Sequence, residues 1–110
     1  MIDYKFNGQV IRVIDGDTFD ALVDLGFHVI TTQRFRMLGI DAPEKGTPGA
    51  NEATAYLSSQ ILNKNVVIQS YKGDSFGRWL ATVWLKDDTN QDSSINGEMI
   101  KLGLAKVYSR

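Results

Sequence analysis

The sequence predicts a mainly β, α+β fold: a five-stranded Greek-key barrel with a helix between strands three and four and a short C-terminal helix. Three observations carry this expectation. Three consecutive segments show strand patterning with tight connections between them, one amphipathic helical segment follows, and two further apolar strand segments flank a glycine-containing loop. A three-strand meander, a helix and two more strands is the element order of a small closed barrel of the OB type.

Each element has a local reason. Val10 to Ile14 is rich in β-branched residues, and Thr18 to Asp24 roughly alternates, with Phe19, Ala21 and Val23 on one face. Asp15-Gly16-Asp17 between them reads as a tight turn or bulge. Leu25-Gly26-Phe27 turns the chain into a third strand, His28 to Leu38, where Val29, Thr31, Phe35 and Met37 share one face and Arg34 and Arg36 the other. Gly39 ends that strand, and Pro43 holds Ala42 extended. Lys45 to Gly49 is a loop by composition. From Ala50 to Leu62, Ala53, Tyr56, Leu57 and Ile61 fall on one helical face, and Asn63-Lys64-Asn65 ends the helix.

The later segments follow the same logic. Val66 to Tyr71 predicts the fourth strand, and Arg78 to Leu85 the fifth, whose apolar run places Trp79 and Trp84 in the core. Lys72 to Gly77 joins them as a hairpin loop, and Asp87 to Ser94 is polar enough to be a mobile surface loop. Ile95, Met99 and Leu102 predict a short helix capped by Gly103.

Composition narrows the function classes. A chain of 110 residues supports one core, so a single domain over 1–110 is expected, with any site on its rim. The absence of cysteine excludes disulfides, thiolate metal sites and cysteine nucleophiles, and a single histidine excludes a multi-His metal centre. Met1 to Lys5 lacks the basic start and apolar run of a secretory signal, and no stretch approaches the roughly 20 apolar residues of a membrane span. Twelve Lys and Arg against 13 Asp and Glu give a net charge of -1, which argues against strong nonspecific binding to a polyphosphate.

The residues that carry chemistry are acids and arginines. Asp15-Gly16-Asp17 alone is a turn. An EF-hand reading fails because Phe19 would occupy the third ligand position and Gly26 the twelfth, where a Glu is required. A sugar-nucleotide reading fails because the chain is too short for that domain. A second acidic cluster, Asp41 and Glu44, follows directly on the strand bearing Arg34 and Arg36, and Arg78 stands at the mouth of a hairpin. Two acidic sites with paired arginines suit phosphodiester cleavage. Negative charge builds on the equatorial oxygens in the transition state, and a hard cation with bidentate guanidinium groups stabilises it there more than in the substrate.

Four blocks, in order and at plausible separation, resemble the staphylococcal nuclease (thermonuclease) family. They are Val13-Ile14-Asp15-Gly16-Asp17-Thr18, Phe35-Arg36-Met37-Leu38-Gly39-Ile40-Asp41-Ala42-Pro43-Glu44, Asp74-Ser75-Phe76-Gly77-Arg78-Trp79-Leu80-Ala81, and Asn96-Gly97 with Gly103-Leu104-Ala105-Lys106-Val107. The resemblance implies a calcium-dependent phosphodiesterase acting on DNA and RNA and leaving 3'-phosphates. It implies that Asp17, Asp41 and the Ala42 backbone oxygen hold Ca2+, that Glu44 is the general base or water-orienting carboxylate, and that Arg36 and Arg78 clamp phosphate. Asp15 matches an acid that supports the metal through water. Phe76 and Tyr108 are the candidate base-stacking residues. A monomer is expected, and a bacterial-type protein whose compartment the sequence leaves open, with a secreted or cell-surface location favoured over a cytoplasmic one.

The chain departs from the best-known member in a short loop after Glu44, in Ser75 and Phe76 before the Gly77-Arg78 pair, and in stopping at Arg110 without the usual C-terminal helix. Fewer lysines around the cleft imply a weaker grip on substrate. The alternative is a noncatalytic OB-type nucleic-acid or protein-binding module, and the presence of Asp17, Arg36, Asp41, Glu44 and Arg78 together argues against it. Arg34 and His28 read as surface residues, and Tyr56 as packing.

Overall fold

The computed structural model describes residues 4–71, 78–86 and 94–108. β1 (Tyr4–Asp15), β2 (Thr18–Asp24) and β3 (Ile30–Met37) form the antiparallel meander. A two-residue strand, β4 (Ile40–Asp41), and helix α1 (Ala50–Ile61) follow. β5 (Asn65–Tyr71), β6 (Trp79–Leu85), helix α2 (Ile95–Lys101) and the short β7 (Lys106–Val107) complete the order. Strands β1-β2-β3-β6-β5 close into a barrel, the expected five-stranded OB-type topology. The closing seam is the parallel pairing of β3 with β6 from Phe35–Trp79 to Met37–Ala81.

Period-2 alternation builds the interior. Phe19, Ala21 and Val23 of β2 meet Phe35 and Met37 of β3, Val66 and Ile68 of β5, and Ala81 and Val83 of β6, all buried. Phe19 and Phe35 stack with ring centroids 5.5 Å apart. α1 closes one end of the barrel with Ala53, Leu57 and Ile61, each fully buried. Its exit is tied to β1, where Asn63 N–H donates to Val10 O at 2.8 Å and Val10 N–H to Lys64 O at 3.2 Å.

β1 begins at Tyr4 rather than Val10. Lys5, Asn7 and Gln9 are exposed and interrupt the apolar pattern, yet the segment pairs with β5 from Tyr4–Ser70 to Gln9–Asn65. Two register shifts against β2, at Val10/Arg12 and Val13/Asp15, bend the strand so that it serves both neighbours.

The second sheet, β4 against β7, is absent from the periodicity reading because two-residue strands carry no period. His28 does not belong to the third strand; it sits at the exposed hairpin tip with φ 62°. Trp79 and Trp84 are not core. Trp79 lines the barrel's mouth, where no further layer of the described residues covers it, and is 45% exposed. Trp84 is half-buried, with Lys5 Nζ 5.5 Å from its ring. The expected hairpin loop Lys72 to Gly77 lies outside the described residues. Of the expected polar loop Asp87 to Ser94, only Ser94 is described; it caps α2 by accepting from Gly97 N–H at 3.1 Å. No helix among the described residues is long and apolar enough to cross a membrane.

Candidate active site

The site is built where the β1–β2 turn meets the segment after β3. A Cβ on Gly16 would lie 2.7 Å from Ala42 Cβ and 2.8 Å from Ala53 Cβ. Glycine at this position therefore lets the turn, the Ala42 segment and α1 touch, and any side chain there would wedge them apart. Asp15 stiffens the same turn by accepting the Asp17 N–H at 3.1 Å. Asp17 is consequently held buried at the base of the site, where its Oδ2 accepts the Ala42 N–H at 3.0 Å and its Oδ1 the Thr18 hydroxyl at 3.1 Å.

Arg36 sits on the outer face of β3, opposite the buried Phe35 and Met37. Its Nη1 donates to Ile40 O at 2.9 Å and to Met37 O at 3.2 Å, which binds the guanidinium to the turn that carries the chain into β4. The same group faces both acids, with Asp17 Oδ2 3.2 Å from Nη1 and Asp41 Oδ1 3.3 Å from Nη2. Charge-assisted N–H···O bonds run about 2.7–2.9 Å when tight. The backbone carbonyls therefore place Arg36, and the two carboxylates lie near it without clamping it. Tyr108 completes the enclosure, its ring centroid 5.7 Å from Arg36 Cζ and its N–H donating to Gly39 O at 2.9 Å.

Electrostatics follow burial. Burial first, and then a hydrogen bond with Asp15, push the Asp17 carboxyl up to about 6, although the Ala42 N–H and the Arg36 charge pull against them. Asp41 has a side chain 54% exposed and opens onto solvent. It lines a cleft of about 350 Å3 together with Ala42, Glu44, Leu104 and Lys106. Glu44 is exposed on the cleft wall, and its carbonyl accepts the Thr47 N–H at 2.9 Å, which turns the following loop.

The structure thus brings Asp17, Arg36, Asp41, Ala42 and Tyr108 together and places Glu44 in the lining of the cleft that Asp41 also lines. Arg78 stands one residue before β6, whose first pair is Trp79–Phe35, and is not among the described residues lining the cleft. Phe76 lies outside the described residues. Arg34 points elsewhere, into a two-bond surface pair with Asp20 at 2.8 and 3.2 Å that holds the Asp20 carboxyl below its ordinary value. Lys106 is a cleft residue that sequence reasoning passed over. It pairs directly with Asp41 across the β4–β7 ladder, a juxtaposition two short strands do not advertise.

Among the described residues no cluster of three or more His, Cys, Asp and Glu side chains is placed to hold a metal. Two carboxylates do converge on one guanidinium beside the Ala42 backbone, and every available ligand is an oxygen. Such a set fits a hard cation that keeps part of its coordination for water and substrate, as calcium does.

Residues 34–110 match the family described as staphylococcal nuclease homologue. The matched segment carries Arg36, Asp41, Glu44, Arg78 and Tyr108 and leaves Asp17 outside it. The relatives align across nearly the whole chain. "Protein ParB" of Escherichia coli is 34% identical over 94% of this chain and 58% of its own length. "Micrococcal nuclease" of Shigella flexneri is 33% identical over 94% of this chain and 59% of its own. An "Uncharacterized endonuclease" of Escherichia coli O157:H7 is 32% identical over 94% and 62%. The chain spans about three fifths of the length of these relatives. With a barrel of the expected topology and a family match over more than two thirds of its residues, the chain belongs to the staphylococcal nuclease homologue family.

Proposed function

We propose that residues 1–110 are a single nuclease domain that hydrolyses phosphodiester bonds of DNA and RNA with calcium and leaves 3'-phosphates. The observation that carries the reading is the convergence of Asp17 and Asp41 on Arg36 at the head of the cleft that Asp41 shares with Glu44. The names of the relatives, a micrococcal nuclease and an endonuclease among them, point the same way.

In this reading Asp17, Asp41 and the Ala42 carbonyl hold the cation. Calcium bound there supplies Lewis-acid stabilisation of charge on the phosphate. Arg36 presents a fixed fork to a phosphate oxygen, and because its own carbonyl contacts persist it needs no reorganisation as charge grows. Glu44 orients a water in the cleft and accepts its proton as the new phosphorus–oxygen bond forms and the bond to the 5' oxygen breaks, that oxygen leaving as the 5'-hydroxyl with a proton from solvent. Arg78 provides the second guanidinium, and Tyr108 and Phe76 offer ring faces to bases.

Incubation with single-stranded DNA in calcium, in magnesium alone and in excess chelator tests this. Cleavage with 3'-phosphate ends is expected in calcium only, since a loose, partly hydrated oxygen site suits the larger ion. Equal turnover in magnesium alone or in chelator would remove the calcium mechanism.

Lys106 is assigned to substrate grip. Lys106→Ala is expected to raise KM for polynucleotide several-fold with kcat nearly unchanged, because Lys106 lines the cleft opposite Asp41 on the β4–β7 ladder and brings a point charge to it. The log–log slope of affinity against salt should fall by about 0.7 on single strands, the loss of one phosphate contact. A slope identical to that of the unmodified protein would place Lys106 in charge balance with Asp41 alone.

A further inference from the structure

The outer face of the meander carries a second set of charges that the hydrolytic step does not use. Inward phase puts Phe35 and Met37 in the core, so Arg34 and Arg36 follow one another on the outer face of β3. Across the ladder Arg36 lies opposite Thr18 and Arg34 opposite Asp20, and Asp20 in turn lies opposite Arg12 of β1. A bulge makes that last pairing. The register shift between Val10 and Arg12 leaves Ile11 as the extra residue, so Arg12 is the one in register with Asp20. The result is a lateral row, Arg12, Asp20 and Arg34, two residues along β3 from the Arg36 of the active site.

Asp20 orients the row. Its two oxygens accept Arg34 Nε at 2.8 Å and Nη2 at 3.2 Å, which fixes the plane of the guanidinium. The Asp20 side chain is 16% exposed and that of Arg34 48%, so the carboxylate lies beneath and the cation faces solvent. Arg34 Nη1 stands outside the pair and donates to no described residue, which leaves the guanidinium an edge for another anion. Arg12 is exposed, and its charge adds to the Arg34 bond in holding Asp20 ionised. Two cations share one anion, and the row stays positive.

We propose that this row is a subsite for the polynucleotide backbone, taking a phosphate next to the one that Arg36 receives. It rests on the nuclease reading for the identity of its ligand. Spacing supports it, because Arg34 and Arg36 leave the strand about 7 Å apart on one face, and successive phosphates along a nucleic-acid strand stand at a similar separation. Chemistry supports it as well, since a guanidinium held in plane meets phosphate oxygens with paired N–H bonds. At a net charge of -1 the chain as a whole attracts a polyphosphate little, so grip has to come from local rows of this kind.

Fluorescence anisotropy of a labelled oligothymidylate in excess chelator, which reads binding apart from cleavage, is the test. The double variant Asp20→Asn with Arg34→Gln keeps the net charge and a neutral hydrogen-bonding pair. It is expected to bind several-fold more weakly, with a log–log salt slope shallower by about 0.7, the loss of one phosphate contact on a single strand. Arg12→Gln leaves the pair intact and should weaken binding in the same direction. Both should melt within a few degrees of the unmodified protein, since an exposed ion pair contributes little to stability. In calcium the rise in KM should be confined to substrates longer than a dinucleotide, whose single phosphodiester cannot reach the row from Arg36. Binding by the double variant equal to that of the unmodified protein overturns the inference, as does an equal rise in KM on the dinucleotide. Weakened binding in both variants of a protein that cleaves nothing in calcium would keep the subsite and remove the nuclease reading.

Discussion

Replacing Arg36 with alanine is expected to lower kcat at least a hundredfold while the barrel remains folded. A hundredfold corresponds to about 2.7 kcal/mol of lost transition-state stabilisation, the scale of one preorganised charged donor. Arg36 qualifies because its side chain is only 14% exposed and is anchored by Ile40 O and Met37 O. Its contacts to Asp17 and Asp41 are long enough to yield to a phosphate oxygen. Removal also leaves two carbonyls without this donor and two acids without their countercharge, so a stability loss of about 1–3 kcal/mol should accompany the kinetic defect. Arg36→Lys should not restore kcat, since a single ammonium cannot span two carbonyls and still present a bidentate fork. Glu44→Ala should match the loss in kcat without the loss in stability, because the Glu44 side chain is exposed and its carbonyl contact is unaffected. Steady-state kinetics beside a denaturant melt separate these effects. An Arg36→Ala variant with normal kcat and a raised KM would reduce Arg36 to a binding residue.

Asn96→Ala is expected to be the most destabilising polar substitution in the described chain. Asn96 is buried at the start of α2 and serves as a surrogate strand partner where the β3–β6 pairing ends. Its Oδ1 accepts the Val83 N–H at 3.0 Å, and its Nδ2 donates to Leu38 O at 2.8 Å and Ala81 O at 3.0 Å. Alanine leaves the Val83 N–H and Leu38 O without this partner, whereas Ala81 O keeps the Leu38 N–H at 2.8 Å. Two groups at about 1–3 kcal/mol each give a loss of roughly 2–6 kcal/mol, a large share of the stability of a small domain. The melting temperature should fall by about 10–20 °C. Asn96→Asp should do no better, because a carboxylate can accept from Val83 but cannot donate to either carbonyl. A melting temperature within a few degrees of the unmodified protein would show that water fills the site.

Much of the fold was legible because local chemistry and global placement agree. The alternation of Phe19, Ala21 and Val23 matches the buried face of β2, and Ala53, Leu57 and Ile61 match the face of α1 that closes the barrel. The reading failed where surroundings outweigh composition. The apolar run through Trp79 and Trp84 suggests burial, but inward phase gives burial only where another layer lies beyond, and the described residues supply none at Trp79. Lys5, Asn7 and Gln9 hid the first half of β1, because a strand with one wet face accepts polar residues.

By itself the sequence determined the strand and helix order, the face of β3 that carries both arginines, and the two acidic clusters, one before β2 and one after β3, since these depend on period and spacing along the chain. Only the tertiary structure decided which arginine meets the acids. Arg34 and Arg36 share a strand face two residues apart, but Arg34 lies opposite Asp20 and pairs with it on the surface. Arg36 lies opposite Thr18, next to Asp17. The Gly39 turn and the β4–β7 pairing then fold Asp41, Lys106 and Tyr108 back towards it. That distinction rests on contacts between segments far apart in sequence, which no local period records.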